Sequence, residues 1–64
     1  MSDWQQRVIQ EFGHLHSRVK ALTLFLLENR DISKEDLVLL SVQLAHMTNY
    51  REILEERIKR FKIR

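Results

Sequence analysis

At 64 residues the chain is at most one domain, and a domain this small buries a modest share of its surface, so a lone core is marginal. Apolar residues make up 44% and charged residues 31%, with no proline and one glycine, which excludes a disordered chain and favours a folded, helix-rich one. With no cysteine there is neither a disulfide staple nor a thiolate zinc site, and a reducing cytoplasm is the natural compartment.

Apolar runs such as Leu24 to Leu27 are far too short to span a bilayer, so no membrane partner is expected. Met1 to Arg7 contains Asp3 and lacks an apolar signal core, so export is not expected either.

The first helix is expected over about residues 3–29, starting at Ser2 or Asp3, either of which can accept hydrogen bonds from the opening amides. Behind that cap, Trp4, Val8, Phe12, Leu15, Val19, Leu22 and Leu26 recur at steps of three and four, the spacing of one helical face. Ile9, Ala21, Leu24, Phe25 and Leu27 widen the stripe, most of all in the last two turns, so more than one partner surface is needed there. Gly13 interrupts the helix at a cost of roughly 1 kcal/mol against alanine, and it is explained either by a close helix approach or by plain tolerance.

Periodicity stops at Glu28 and Asn29, and a turn at about 30–33 leads to Ser33, an N-cap with Asp36 three residues on as a variant capping box. Lys34, Glu35 and Asp36 open a second helix over about 34–62, with two acids near its positive end. In it Leu37, Leu40, Leu44, Met47, Leu54, Ile58 and Phe61 form a heptad seam, with Arg51 the one charged residue in that seam. A connection of about four residues suits antiparallel helices. The fold class is therefore all-α, an antiparallel two-helix hairpin forming a single domain over 1–64.

Folding about Asp31 pairs the seams in order: Leu26 with Leu37, Leu22 with Leu40, Val19 with Leu44, Leu15 with Met47, Val8 with Leu54, and Trp4 with Ile58. Phe12 then faces Arg51, which either lies over the ring or runs its stem past it to water. Outside the seam, Leu24, Phe25 and Leu27 on one side and Val38, Leu39, Val42 and Ala45 on the other would leave a large apolar patch in water. Self-association follows as an expectation: a homodimeric four-helix bundle with these residues at its centre, a higher oligomer being the variant.

Candidate chemistry is sparse. His14 and His16 lie two apart, on different helix faces, and neither forms an i, i+4 ligand pair, so no metal is implied. His46, beside Met47, is expected to make a buried polar contact. No serine or threonine stands in a glycine-rich turn, and two rigid helices offer no catalytic cleft, so neither an enzyme nor a cofactor is expected. Glu52, Glu55 and Glu56 read as a solvated face, with Glu55–Lys59 and Glu56–Arg60 as i, i+4 pairs. Trp4, Phe12, Phe25 and Phe61 read as core residues, while Tyr50, offset from the seam, could present its hydroxyl at a groove with Asn49 and Arg51.

The end of the chain, from Arg57 through Lys59, Arg60 and Lys62 to Arg64, has five basic residues in eight and no acid. Cations at a helix C-terminus explain this structurally. The functional reading is an anion-binding arm for nucleic acid, a nucleotide or an acidic protein, although the formal net charge is only +2. Candidate partner or anion-binding residues are accordingly Trp4, Tyr50, Arg51, Arg57, Lys59, Arg60, Lys62 and Arg64.

Trp4-Gln5-Gln6-Arg7-Val8, Leu22 with Phe25-Leu26, and Gln43, Met47, Tyr50, Leu54 and Arg57-Ile58 together resemble short phage-encoded helical-hairpin proteins. Within that group the chain is most similar to the small accessory open-reading-frame proteins of the exo-xis region of lambdoid phages, a set that favours phage development over lysogeny. The resemblance implies a phage context in the host-cell cytoplasm more than a mechanism, while the doubled seam, the surplus apolar surface and the missing catalytic constellation lead to the expectation of a non-catalytic homodimer acting on a host or phage protein. A rival likeness is to the oligomeric helical sponges by which phages sequester cyclic nucleotide immune signals, where Trp4 or Tyr50 with Lys20 or Arg51 would hold the ligand.

Overall fold

A computed structural model describes residues 2–29 and 31–62, as two helices, α1 (Asp3–Glu28) and α2 (Lys34–Lys62). They pack along each other as an antiparallel hairpin, a rod 48 × 15 × 14 Å. Ser2 is the cap of α1: Gln5 reaches back, and its Oε1 accepts from the Ser2 amide at 3.0 Å and from the Ser2 hydroxyl at 3.1 Å. This satisfies an amide that the helix leaves without an internal partner.

Helix α1 ends at Glu28, one residue short of the expected boundary, because Asn29 takes an extended conformation (φ −101°, ψ 121°). The Asn29 backbone N–H and side-chain Nδ2 both donate to the Phe25 carbonyl, at 2.9 and 3.0 Å, closing the last turn without a left-handed residue. Ser33 starts α2 as expected: its hydroxyl accepts from the Asp36 amide at 3.1 Å, and its carbonyl from the Leu37 amide at 2.9 Å.

Val8, Leu15, Val19 and Leu54 form the buried core, with Phe12, Leu44, Met47, Ile58 and Phe61 packed against it. Leu54 is 1% exposed, the most completely enclosed large side chain. The core therefore lies in the middle and terminal parts of the hairpin rather than at the turn. The exposed Thr23 donates its hydroxyl to the Val19 carbonyl at 2.7 Å, one turn back on α1.

Several sequence expectations change. Leu37, assigned to the seam opposite Leu26, is 44% exposed, while Leu22, Leu26, Ile32 and Leu40 are only half-buried. The helices thus share their tightest packing away from the turn. Trp4, expected in the core, is 53% exposed, and it meets Phe61 edge-on with ring centroids 5.2 Å apart and planes at 87°. That pairing lies one turn beyond the Ile58 rung. With only one facing helix at the end of the rod, an indole has nothing to cover its second face.

His46 is exposed rather than buried in a polar contact. A Cβ added at Gly13 would have nothing within 4 Å, so close helix approach does not explain that glycine. Lys59 pairs with Glu56 at 3.5 Å, an i, i+3 contact, in place of the expected Glu55–Lys59 and Glu56–Arg60 pairs. Phe25, like Trp4, stands outside the core at 44% exposure, and Ile9 is exposed as well.

Candidate functional site

The two flanks of the hairpin differ. On one, the imidazole of His16 stacks on Phe12 (centroids 5.9 Å apart, planes at 14°), taking one of the two positions open to the Arg51 guanidinium. Arg51 Nη1 lies 3.2 Å from His16 Nδ1. Arginine is only a donor, so the contact as a hydrogen bond places the imidazole proton on Nε2. The arginine is half-buried as a residue, and its head meets the exposed imidazole at the surface.

The opposite flank carries an open cleft of about 410 Å³ lined by Arg7, Gln10, Glu11, His14, Leu15, Arg18 and Tyr50. Its construction follows from helix geometry. Residues 7, 11, 14 and 18 are spaced by four, three and four, so Arg7, Glu11, His14 and Arg18 form one strip along α1, spanning roughly 16 Å from first to last at 1.5 Å per residue. Leu15, turned inward from that strip, is core and makes the apolar floor. Tyr50 reaches in from α2 and donates its hydroxyl to Glu11 Oε2, tying the two helices together at the cleft.

The electrostatics favour an anion. Among the described residues the ion pair within 4.0 Å is Lys59–Glu56, so neither Arg7 nor Arg18 has a carboxylate partner at that distance. Two guanidiniums, an imidazole, the Gln10 amide, the Glu11 carboxylate and an aromatic ring thus surround an apolar floor, with the basic groups outnumbering the single acid. Among the described residues there is also no group of three or more metal-ligating side chains.

A second depression, of about 670 Å³, lies on α2 alone, lined by Asn49, Glu52, Ile53, Glu55, Glu56, Arg57 and Arg60. Mixed charges surround the exposed Ile53 there, and no residue of α1 contributes.

Of the residues singled out from sequence, Tyr50 enters the cleft, on the side away from Arg51, while Trp4 stands at the end of the rod with Phe61. Lys20 does not line the cleft. Arg57, Lys59 and Arg60 are exposed on α2; the Lys62 side chain and Arg64 lie outside the described residues. Leu24, Phe25, Leu27, Val38, Leu39, Val42 and Ala45 are all exposed near the turn, Leu27 and Leu39 most strongly at 69% and 67%. Arg7, His14 and Arg18 were missed as a set. Their four- and seven-residue spacing was visible in the sequence, but periodicity was followed there only for apolar residues.

The family model described as Sequestin matches residues 2–60, nearly the whole chain. The chain belongs to the Sequestin family. The match takes in α1, the turn, α2 up to Arg60 and every residue lining the cleft. No curated protein and no solved structure matches this Sequestin chain.

Proposed function

We propose that the chain is a non-catalytic binding protein that works by sequestration, and that its ligand is a phosphate-bearing nucleotide held in the cleft on α1. The observation that carries this reading is the convergence of Arg7, His14 and Arg18 with the Tyr50 ring on one open site, both arginines lacking a carboxylate partner among the described residues. Guanidinium–phosphate bonds are charge-assisted and often bidentate. An aromatic ring adds about 1–3 kcal/mol per stacked base. The family name, Sequestin, denotes sequestration and agrees with a protein that holds its ligand without transforming it. The likeness to phage sponges of cyclic nucleotide immune signals points to cyclic nucleotides within this class, and so to the cytoplasm of an infected cell.

Self-association is part of the same reading. A hairpin with an exposed apolar end gains most by pairing that end with a second copy, giving a homodimeric four-helix bundle or a higher oligomer.

Thermal melting against a panel of cyclic dinucleotides and trinucleotides tests the ligand. A ligand at a hundred times its Kd stabilises the native state by about 2.7 kcal/mol. A rise in Tm is expected for at least one member of the panel, and it should disappear in the Arg7→Ala, Arg18→Ala double variant. No rise across the panel overturns the reading.

The exposed apolar end favours a second reading, in which the same residues engage a host or phage protein, as the resemblance to the exo-xis accessory proteins suggests, and shift the balance between lytic and lysogenic development. Capture of one specific protein by the wild type but not by Leu39→Glu, without any nucleotide-dependent shift, would favour it. Nucleic-acid binding through Arg57, Lys59 and Arg60 remains the weakest reading, since Lys59 is already paired with Glu56.

A further inference from the structure

Helix α2 is apolar on two opposite sides. Leu40, Leu44, Met47 and Arg51 lie half-buried against α1, and a step of two residues back from each turns about 200° round the helix, to the side away from α1. That step reaches Val38, Val42, Ala45 and Asn49, and Ile53 continues the row; all five are exposed. The same step on α1, from Val8, Phe12, Leu15 and Val19, reaches Gln6, Gln10, Gly13 and Ser17, so the outer side of α1 is polar until Leu24. Charge is missing from α2 as well. From Leu37 to Tyr50, about four turns, it has no Asp, Glu, Lys or Arg. A helix side that faces water carries charged and polar residues, and an apolar row of this length needs a cover.

The two ends of the row point to the cover. Glu35 begins it and Arg60 ends it, at the same steps of three and four, and among the described residues neither has an opposite charge within 4.0 Å. Read backwards, the row is therefore complementary to itself. We propose that a second copy docks on it, α2 against α2 in opposite directions, with Val42 set into the depression around the partner's Ile53. In that register Glu35 comes level with the partner's Arg60, and two-fold symmetry repeats the pair at the other end. Glu56, beside Ile53, is already matched by Lys59 at 3.5 Å. A parallel pair would bring Glu35 against the partner's Glu35 and Arg60 against the partner's Arg60, and would align the helix dipoles. Helix α1 stays on the outside, so the strip of Arg7, His14 and Arg18 remains open. The proposal rests on the self-association reading above and carries the interface from the turn end along α2 to Ile53.

Cross-linking tests it. The chain has no cysteine, so an introduced thiol reports on its own position alone. Val42→Cys and Ile53→Cys replace exposed residues and should fold, which circular dichroism checks. Mixed and oxidised, they should give the disulfide that joins one chain of each, resolved by mass spectrometry. Each alone should give none, because like positions in the two copies are offset by the interval from 42 to 53, roughly 16 Å along the axis and beyond disulfide reach. Ile53→Ser should raise the dissociation constant of the dimer about tenfold or more in sedimentation, whereas pairing of the turn ends alone would leave that constant unchanged. Disulfides within each variant alone, in place of the mixed one, overturn the antiparallel docking. A wild-type dimer with no mixed disulfide and an unchanged constant in Ile53→Ser overturns the choice of face and leaves self-association standing. A wild-type monomer at micromolar concentration overturns both.

Discussion

Gly13 is exposed, lies mid-helix, and has open space where a Cβ would stand. Its backbone is helical with no positive φ, so alanine can adopt it without strain. Replacing it should therefore remove a helix penalty and some unfolded-state entropy at no packing cost. Gly13→Ala is expected to stabilise the hairpin by about 0.5–1 kcal/mol and raise Tm by a few degrees, as read by circular dichroism. A fall in Tm would mean that the bare backbone is needed by a neighbour outside this chain. Arg51 illustrates the opposite case, a residue whose environment is entirely tertiary. Next to Phe12 in the pairing it has two options, over the ring or past it to water; His16, four residues along α1, takes the ring, and the arginine meets the imidazole.

At the scale of elements, both helices are set by local chemistry at their ends and by one apolar stripe along their length. Gln5 and Ser2 open α1, Asn29 closes it, and Ser33 opens α2 through the Asp36 amide. In a hairpin with a small core each such bond is a sizeable fraction of the total stability. Ser33→Ala should cost about 1 kcal/mol in urea unfolding, with the slope of the transition unchanged. An effect near zero would show that Lys34 to Asp36 fray in solution and that α2 effectively starts later. The strip of Arg7, Glu11, His14 and Arg18 is an element-scale feature too, since one helix positions all four and α2 adds only Tyr50.

For the molecule as a whole, the distribution of burial decides what it needs. Among the described residues four hydrophobic side chains are buried, and all lie away from the turn, whereas Leu24, Phe25, Leu27, Leu37, Val38, Leu39 and Val42 are exposed at the turn end. A chain that buries so little and exposes so much is expected to depend on a second copy for stability. Sedimentation across a dilution series should therefore show a dimer or larger species at micromolar concentration, and Tm should rise with protein concentration. Leu39→Glu should shift the population toward monomer and lower Tm. A folded wild-type monomer at micromolar concentration with a concentration-independent Tm would refute self-association.

The sequence by itself determined two helices, the hairpin, and most of the core, because heptad spacing and capping residues act locally and leave little alternative. Val8, Leu15, Val19 and Leu54 all fall in the seam that apolar spacing alone defines. Only the tertiary structure decided where along the seam the packing is tight, because burial depends on how two long helices approach each other rather than on which residues face inward. It exposed Leu37 and Trp4 for that reason. It also decided the site. Tyr50 was legible as a residue off the seam, but its meeting with Glu11 needed the relative rotation of α1 and α2, which seam periodicity leaves uncertain by a good part of a helical turn. The cleft on α1 exists only because that rotation brings the Tyr50 hydroxyl to the side carrying Arg7 and Arg18.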